Sequence, residues 1–143
     1  MATEQILALD FGAKSVGVAA TDGLGLTVVT LPTIFRERET KLRRTLSAIE
    51  RIIEERGIRR IVLGLPLHMD GREGERSAKT REFADMLRQR TGLPVEFQDE
   101  RLTTEEALDI LKTTGQDGAG RLDSVAAAVI LEDYLSDTRP PED

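Results

Sequence analysis

The sequence predicts a single α/β domain built on a mixed five-stranded sheet flanked by helices. Three observations carry that prediction. The first 30 residues hold three strand-like segments separated by turn residues. The remainder alternates helical and strand-like periodicity, and two of the strand segments are short continuous apolar runs of the kind buried on both faces.

Taken in order, Ile6-Leu7-Ala8-Leu9 is the first such run, and Gly12 marks the turn after it. Val16 to Ala20 forms a second strand, and Asp22-Gly23 is a hairpin signal leading to a third from Leu26 to Thr30. Thr40 to Arg56 reads as a helix, because Leu42, Leu46, Ile49 and Ile53 recur at spacings of four, three and four and Gly57 closes the segment. Ile61-Val62-Leu63 is the second buried run, ended by Gly64-Leu65-Pro66. A helix from about Glu75 to Arg90 presents Phe83, Met86 and Leu87 and stops at Gly92; Pro94 then opens a strand from Val95 to Gln98. Thr103 and Glu106 have the spacing of a capping box for a short helix carrying Ala107, Leu108 and Leu111. The loop Gly115 to Gly120 leads into a last helix from Leu122 to Leu135. Residues 1–135 are thus expected to form one domain, and residues 136–143 a polar, flexible tail containing Pro140-Pro141.

Composition narrows the chemistry. At 143 residues the chain has the bulk for one well-filled core. It has no cysteine, which excludes disulfides, thiolate zinc sites and a thiol nucleophile. Its single histidine, His68, excludes a multi-histidine zinc site. A metal here would be held by carboxylates, which favours a hard ion such as Mg²⁺ or Mn²⁺. The start of the chain lacks the basic residues of a signal peptide, and no run is long and apolar enough to span a membrane.

The net charge of −6 argues at first against a nucleic-acid partner, but the charge is unevenly placed. Residues 36 to 60 carry nine Arg or Lys against five Glu, with Arg36, Arg38, Lys41, Arg43 and Arg44 close together. Arg72, Arg76, Lys79 and Arg81 make a second basic stretch. Solvated helix faces also look like this, so charge alone does not decide.

Acids stand where acids are costly. Asp10 ends the first apolar run, Asp99 and Glu100 end the strand from Val95, and Asp123 begins a helix that is apolar without a break from Val125 to Leu131. In α/β sheets, functional side chains converge beyond the carboxyl ends of the strands. Carboxylates gathered there repel one another unless a cation neutralises them, and two divalent ions ~4 Å apart would suit phosphodiester cleavage. Plainer roles exist for each: an Asx turn at Asp10, a surface turn at Asp99-Glu100, a helix-dipole partner at Asp123.

Four motifs in register give this pattern a family. Leu7 to Ala19 with Thr21-Asp22, then Gly64-Leu65-Pro66-Leu67 with Met69-Asp70-Gly71 and Glu73-Gly74, then Asp99-Glu100-Arg101-Leu102-Thr103-Thr104, then Asp123-Ser124-x-Ala126-Ala127, resemble in order the motifs of the YqgF family. The resemblance spans roughly residues 5 to 135. It implies an RNase H-like fold and a nuclease whose catalytic and metal-holding residues are Asp10, Glu100 and Asp123, with two Mg²⁺ or Mn²⁺ ions. It also implies a bacterial cytoplasmic protein acting on nucleic acid, either trimming the 5′ end of the 16S ribosomal RNA precursor in a pre-ribosomal particle or resolving four-way DNA junctions. Lys14 and Arg101 lie beside the acids and are well charged to meet a backbone phosphate.

Two departures stand out: Ala13 and Ser15 occupy positions where many members carry Thr and Arg. In the related RuvC-type resolvases a glutamate ends the fourth strand, whereas here Gly64-Leu65-Pro66 does, so the second carboxylate must come from the next strand. Strand alternation lets only one of Asp99 and Glu100 reach Asp10, and the resemblance points to Glu100. Structured RNA is expected ahead of a DNA junction, since a resolvase needs a two-fold dimer and no apolar stripe advertises one; a monomer or weak dimer is expected. Two other classes compete. A sugar-kinase or actin-like ATPase shares the Asp10-x-Gly12 opening but needs two lobes, and a non-catalytic ribosome-assembly module would keep the fold without the chemistry.

Overall fold

The structure, a computed structural model, describes residues 4–23, 27–68, 70–100 and 119–138, without the side chains of 119–123 and 138. Its elements in chain order are β1 (Ile6–Phe11), β2 (Ser15–Thr21), β3 (Val28–Phe35), α1 (Arg43–Arg56), β4 (Arg60–Leu65), α2 (Glu75–Thr91), β5 (Val95–Asp99) and α3 (Ala119–Thr138). The five strands form one sheet in the order β3-β2-β1-β4-β5. β1, β2 and β3 pair antiparallel, while β4 and β5 run parallel to β1. The carboxyl ends of β1, β3, β4 and β5 therefore share one edge with the start of β2.

The alternation of β1 divides its side chains between two cores. Leu7, Leu9 and Phe11 join Val16, Val18, Ile61 and Leu63 on the face covered by α1 and α2, which contribute Leu46, Ile49, Phe83 and Leu87. Ile6 and Ala8 join Val62 on the opposite face, where Ile130, Leu131 and Tyr134 of α3 pack. That second face is poor in bulk: Ala8 lies opposite Ala19, and Asp10 opposite Gly17. Small residues there let α3 lie close to the strands, which accounts for the buried Ala126 and Ala127 on the helix side. Both α1 and α2 end on a left-handed glycine: Gly57 at φ 65° donates its N–H to Ile53, and Gly92 at φ 69° donates to Arg88. Among the described residues no helix is long and apolar enough to cross a membrane.

Three boundaries differ from the sequence-based expectation. β3 begins at Val28 and continues to Phe35, where a strand from Leu26 to Thr30 is expected. Pro32 conceals the continuation. Val18 pairs with Leu31 and Val16 with Ile34, so Pro32 and Thr33 together oppose Gly17 in a bulge on an edge strand, where a missing N–H is tolerated. α1 starts at Arg43 rather than Thr40, because Leu42 supplies the first helical carbonyl, accepting the Leu46 N–H at 2.8 Å. α3 runs on to Thr138, three residues into the expected tail. The expected short helix after Thr103, and most of the loop that follows it, lie outside the described residues.

Candidate active site

Asp10 is the last-but-one residue of β1, and its register partner is Gly17. It is in phase with Ile6 and Ala8, so its carboxyl group belongs to the α3 face of the sheet. The same parity sorts the two acids after β5. Phe97 lies beside Leu63 and Asp99 beside Leu65, on the face of α1 and α2; Gln98 lies beside Gly64, on the face of α3. Glu100 is in phase with Gln98 and extends the ladder by donating its N–H to the Leu65 carbonyl at 3.3 Å. Asp99 is exposed on the other side of the sheet.

Glu100 turns inward into the space that Gly64 leaves empty. A Cβ on Gly64 would stand 2.4 Å from Ile130 Cδ1, 2.7 Å from Glu100 Oε2 and 3.0 Å from Glu100 Cδ. The end of β4 thus leaves a gap, and the glutamate after the next strand fills it. Glu100 and Asp10 are in hydrogen-bond contact. Burial first, and then the adjacent Asp10 carboxyl, push the Glu100 pKa up to about 9, while Arg76 opposes the shift. Two carboxyl groups in contact cannot both be charged cheaply, so one proton is held between them when nothing else neutralises the pair.

The backbone beyond Asp10 is clamped by two guanidinium groups. Arg76 donates to the Phe11 carbonyl at 3.0 Å, and Arg36 donates to the Gly12 carbonyl at 2.5 Å. Both guanidiniums stand over the Phe11 ring, at 5.5 and 4.7 Å from its centroid, and Phe11 stacks on Phe83 at 4.1 Å. Glu39 ties the pair together by accepting from the Arg76 side chain and presenting its backbone carbonyl to Arg36 Nε. Burial and the neighbouring Arg76 lower the Arg36 pKa against the opposing pull of Glu39. Arg36 is therefore a structural strut, not part of a solvated face, whereas Arg38, Lys41, Arg43 and Arg44 are exposed.

α3 is anchored beside this site by Ser124. Its hydroxyl donates to the Leu31 carbonyl at 2.8 Å, accepts the Val18 N–H at 3.4 Å and contacts the Thr33 hydroxyl at 2.8 Å. Val18 and Leu31 are register partners at the margin of the β3 bulge, so one buried hydroxyl ties α3 to both strands there. Val18 adjoins Gly17, the register partner of Asp10. The backbone at Asp123 thus enters the same corner of the sheet, although its side chain is outside the described set. Lys14 is exposed in the β1–β2 turn at the same edge, and Arg101 lies outside the described residues. Among the described residues no cluster of three or more potential ligands is present. Arg76, Gly64 and Ser124 escape sequence reasoning as site builders. Each acts through a backbone group or a space that appears only once the strands are aligned.

A profile of the RuvX family, described as Holliday junction resolvase, matches residues 4–137. The chain is 48% identical over 141 residues to an Agathobacter rectalis protein named "Putative pre-16S rRNA nuclease", covering 94% of this chain and 99% of that one. A Myxococcus xanthus protein of the same name is 43% identical over 139 residues, covering 95% and 90%. Among solved structures, T. thermophilus RuvC in complex with Holliday junction substrate superimposes with a TM-score of 0.57 over 95% of this chain and 97% of that chain. At 11% identity that likeness is one of fold, and it places the sheet and its helices among the RNase H-like folds. With the family profile covering nearly the whole chain, and relatives close to half identical along their full length, the chain belongs to the RuvX (YqgF) family of nucleases.

Proposed function

We propose that this protein is a divalent-metal-dependent endonuclease that trims the 5′ end of the 16S ribosomal RNA precursor, with Asp10, Glu100 and Asp123 as its catalytic, metal-holding residues. The observation that carries the reading is the contact between Asp10 and Glu100 on the α3 face, at the edge where the strands end. The donor set fits a hard cation: oxygen ligands, one of them buried, with a raised proton affinity that a competing positive charge would reverse. Two Mg²⁺ or Mn²⁺ ions are the fit we favour. A divalent ion bound there supplies the charge that acidifies the attacking water and steadies the departing oxygen.

The chain's own residues do the rest. Arg36 and Arg76 fix the backbone that carries Asp10, and Gly64 leaves Glu100 room to turn toward it. Lys14 and Arg101 are proposed to hold the backbone phosphates, and α3, pinned by Ser124, brings Asp123 to the same corner. The substrate is structured RNA, met in a pre-ribosomal particle, and the protein acts as a monomer or weak dimer in the cytoplasm.

The family's description favours a second reading, cleavage of four-way DNA junctions. A resolvase cuts two strands in symmetry and needs a two-fold apolar interface. Among the described residues the exposed large apolar side chains are Phe35 on β3 and Met86 on α2, too few for that. A cleavage assay with Mg²⁺ that offers precursor 16S leader RNA, linear DNA and a four-way junction side by side tests the proposal. Cleavage of the RNA is expected. Cleavage of the junction alone would transfer the assignment to resolution, and cleavage of none would end the nuclease reading.

A further inference from the structure

Five aromatic residues occur in the chain, and four of them are engaged. Phe11 and Phe83 stack on each other, Phe97 lies under Arg81 and Arg88, and Tyr134 bonds Glu96 through its hydroxyl. Among the described residues Phe35 is the exception. It is the last residue of β3 and is 64% exposed.

Its position follows from the register. Phe35 lies directly opposite Ser15, so the two side chains leave the same face of the sheet. Ser15 is in phase with Gly17, and Gly17 is opposite Asp10. Phe35 therefore stands on the face of Asp10 and Glu100 and at the same edge. It is two strand spacings from β1, ~10 Å away, a separation on the scale of a nucleotide. Its neighbour Ile34 points the other way, into the core under α1 and α2. Arg36 also turns to that side, over Phe11, and among the described residues no cation covers the Phe35 ring. Exposed Lys14 lies in the β1–β2 turn, next to Ser15, and Arg38 and Lys41 are exposed in the segment that follows β3.

An exposed ring with an exposed lysine in the adjoining turn, on the sheet face of Asp10 and Glu100, is suited to single-stranded nucleic acid: charge for the backbone and a flat apolar surface for a base. We propose that Phe35 is a stacking platform for an unpaired base of the RNA, one that fixes the strand across the carboxylates. The inference rests on the nuclease reading and adds a substrate class to it: the enzyme prefers a strand with an unstacked base near the cut to a continuous duplex. Base pairs inside a duplex offer no free face to the ring.

The test is binding of a single-stranded oligoribonucleotide and of the corresponding blunt duplex in Ca²⁺, where binding is separated from cleavage. Phe35→Ala should weaken single-strand binding by roughly 5- to 150-fold and leave duplex binding within about twofold. Phe35→Leu, which keeps apolar bulk without a ring, should lose most of the same affinity. Phe35→Trp should restore binding, and since the chain has no tryptophan its fluorescence reports the ring directly. Quenching of that fluorescence by the single strand, and not by the duplex, is expected. Wild-type binding that survives Phe35→Ala on both ligands, or a Phe35→Trp signal unmoved by the single strand, would overturn the Phe35 assignment and leave the nuclease reading standing. A wild-type protein that binds neither ligand would remove both.

Discussion

Glu100 and Gly64 are two halves of one device. The glutamate reaches Asp10 because the glycine has no side chain, and Ile130 closes the remaining gap. Gly64→Ala should therefore be harmful although the added group is a single methyl. The new carbon would meet Ile130 and Glu100 well inside contact distance, and overpacking of this kind costs about 1–3 kcal/mol. Chemical denaturation should show that loss, and cleavage should fall further than stability as Glu100 is displaced. A substitution at Gly23, where a Cβ would meet nothing within 4 Å, is the matched control. The raised proton affinity of Glu100 makes a second prediction. In the unfolded chain this carboxyl titrates near 4.5, and in the folded, metal-free chain near 9. Below the lower value it is protonated in both states and destabilises neither. As pH rises through that window the unfolded chain ionises while the folded one must keep the proton, so folding stability falls. Glu100→Gln removes the titration. Its melting temperature in EDTA should exceed that of the wild type by a margin that widens from pH 5 to pH 9. A margin independent of pH would mean that Glu100 is solvated and not pressed against Asp10.

At the scale of elements, α3 carries most of the site's organisation. Ser124 binds it to the bulge in β3, and the helix then covers the small residues of β1, β2 and β4. Asp123 precedes that anchor by one residue, and two roles predict different behaviour for it. A helix-end acid interacting with the dipole contributes about 1 kcal/mol or less, and Asn caps about as well as Asp, so Asp123→Asn would then change little. A metal ligand loses the charge that holds a hard cation. On the reading proposed here, Asp123→Asn folds with wild-type stability, binds Mn²⁺ more weakly by calorimetry and loses cleavage by orders of magnitude. Normal metal affinity with normal cleavage would make Asp123 structural.

Much of this layout was readable from the residues. The apolar runs around Leu7 and Val62 mark doubly buried strands, and the glycines at 57 and 92 stop the helices where periodicity says they should. Alternation shows that Asp99 and Glu100 diverge, but not which one faces Asp10. That needs the pairing of Gln98 with Gly64, a contact between strands 34 residues apart in sequence. Pro32 hid the second half of β3, because a proline reads as a strand end and the bulge that accommodates it is a property of two strands together. Arg36 looked like one member of a basic run. Its burial against Phe11 and Gly12 depends on α2 arriving with Arg76, which no local pattern encodes.

Over the whole molecule, net negative charge coexists with a basic edge. The segment from Arg36 to Arg44 leaves the carboxyl end of β3, the edge at which Asp10 and Glu100 meet. An acidic protein with a local cationic rim can bind a polyanion at that rim while the remainder repels it, which limits non-specific adhesion. Reversing the exposed charges at Arg38, Lys41 and Arg43 to Glu should weaken RNA binding and flatten the dependence of log affinity on log salt, without changing the melting temperature appreciably. Arg36 is left out because it supports the β1 turn. An unchanged salt slope would return the segment to an ordinary solvated surface.

Asp10→Asn separates a metal-dependent cutting centre from a merely structural pair of acids. The amide keeps the size and removes one of two mutually repelling acids, so the metal-free variant should fold as well as the wild type or slightly better at neutral pH. The measurement is the Mg²⁺-dependent rate of precursor 16S leader cleavage by the wild type and by Asp10→Asn, with circular dichroism confirming the fold of both. Wild-type cleavage that EDTA abolishes is expected, with no detectable cleavage by the folded variant. Wild-type rates from Asp10→Asn in Mg²⁺ would contradict the cutting centre.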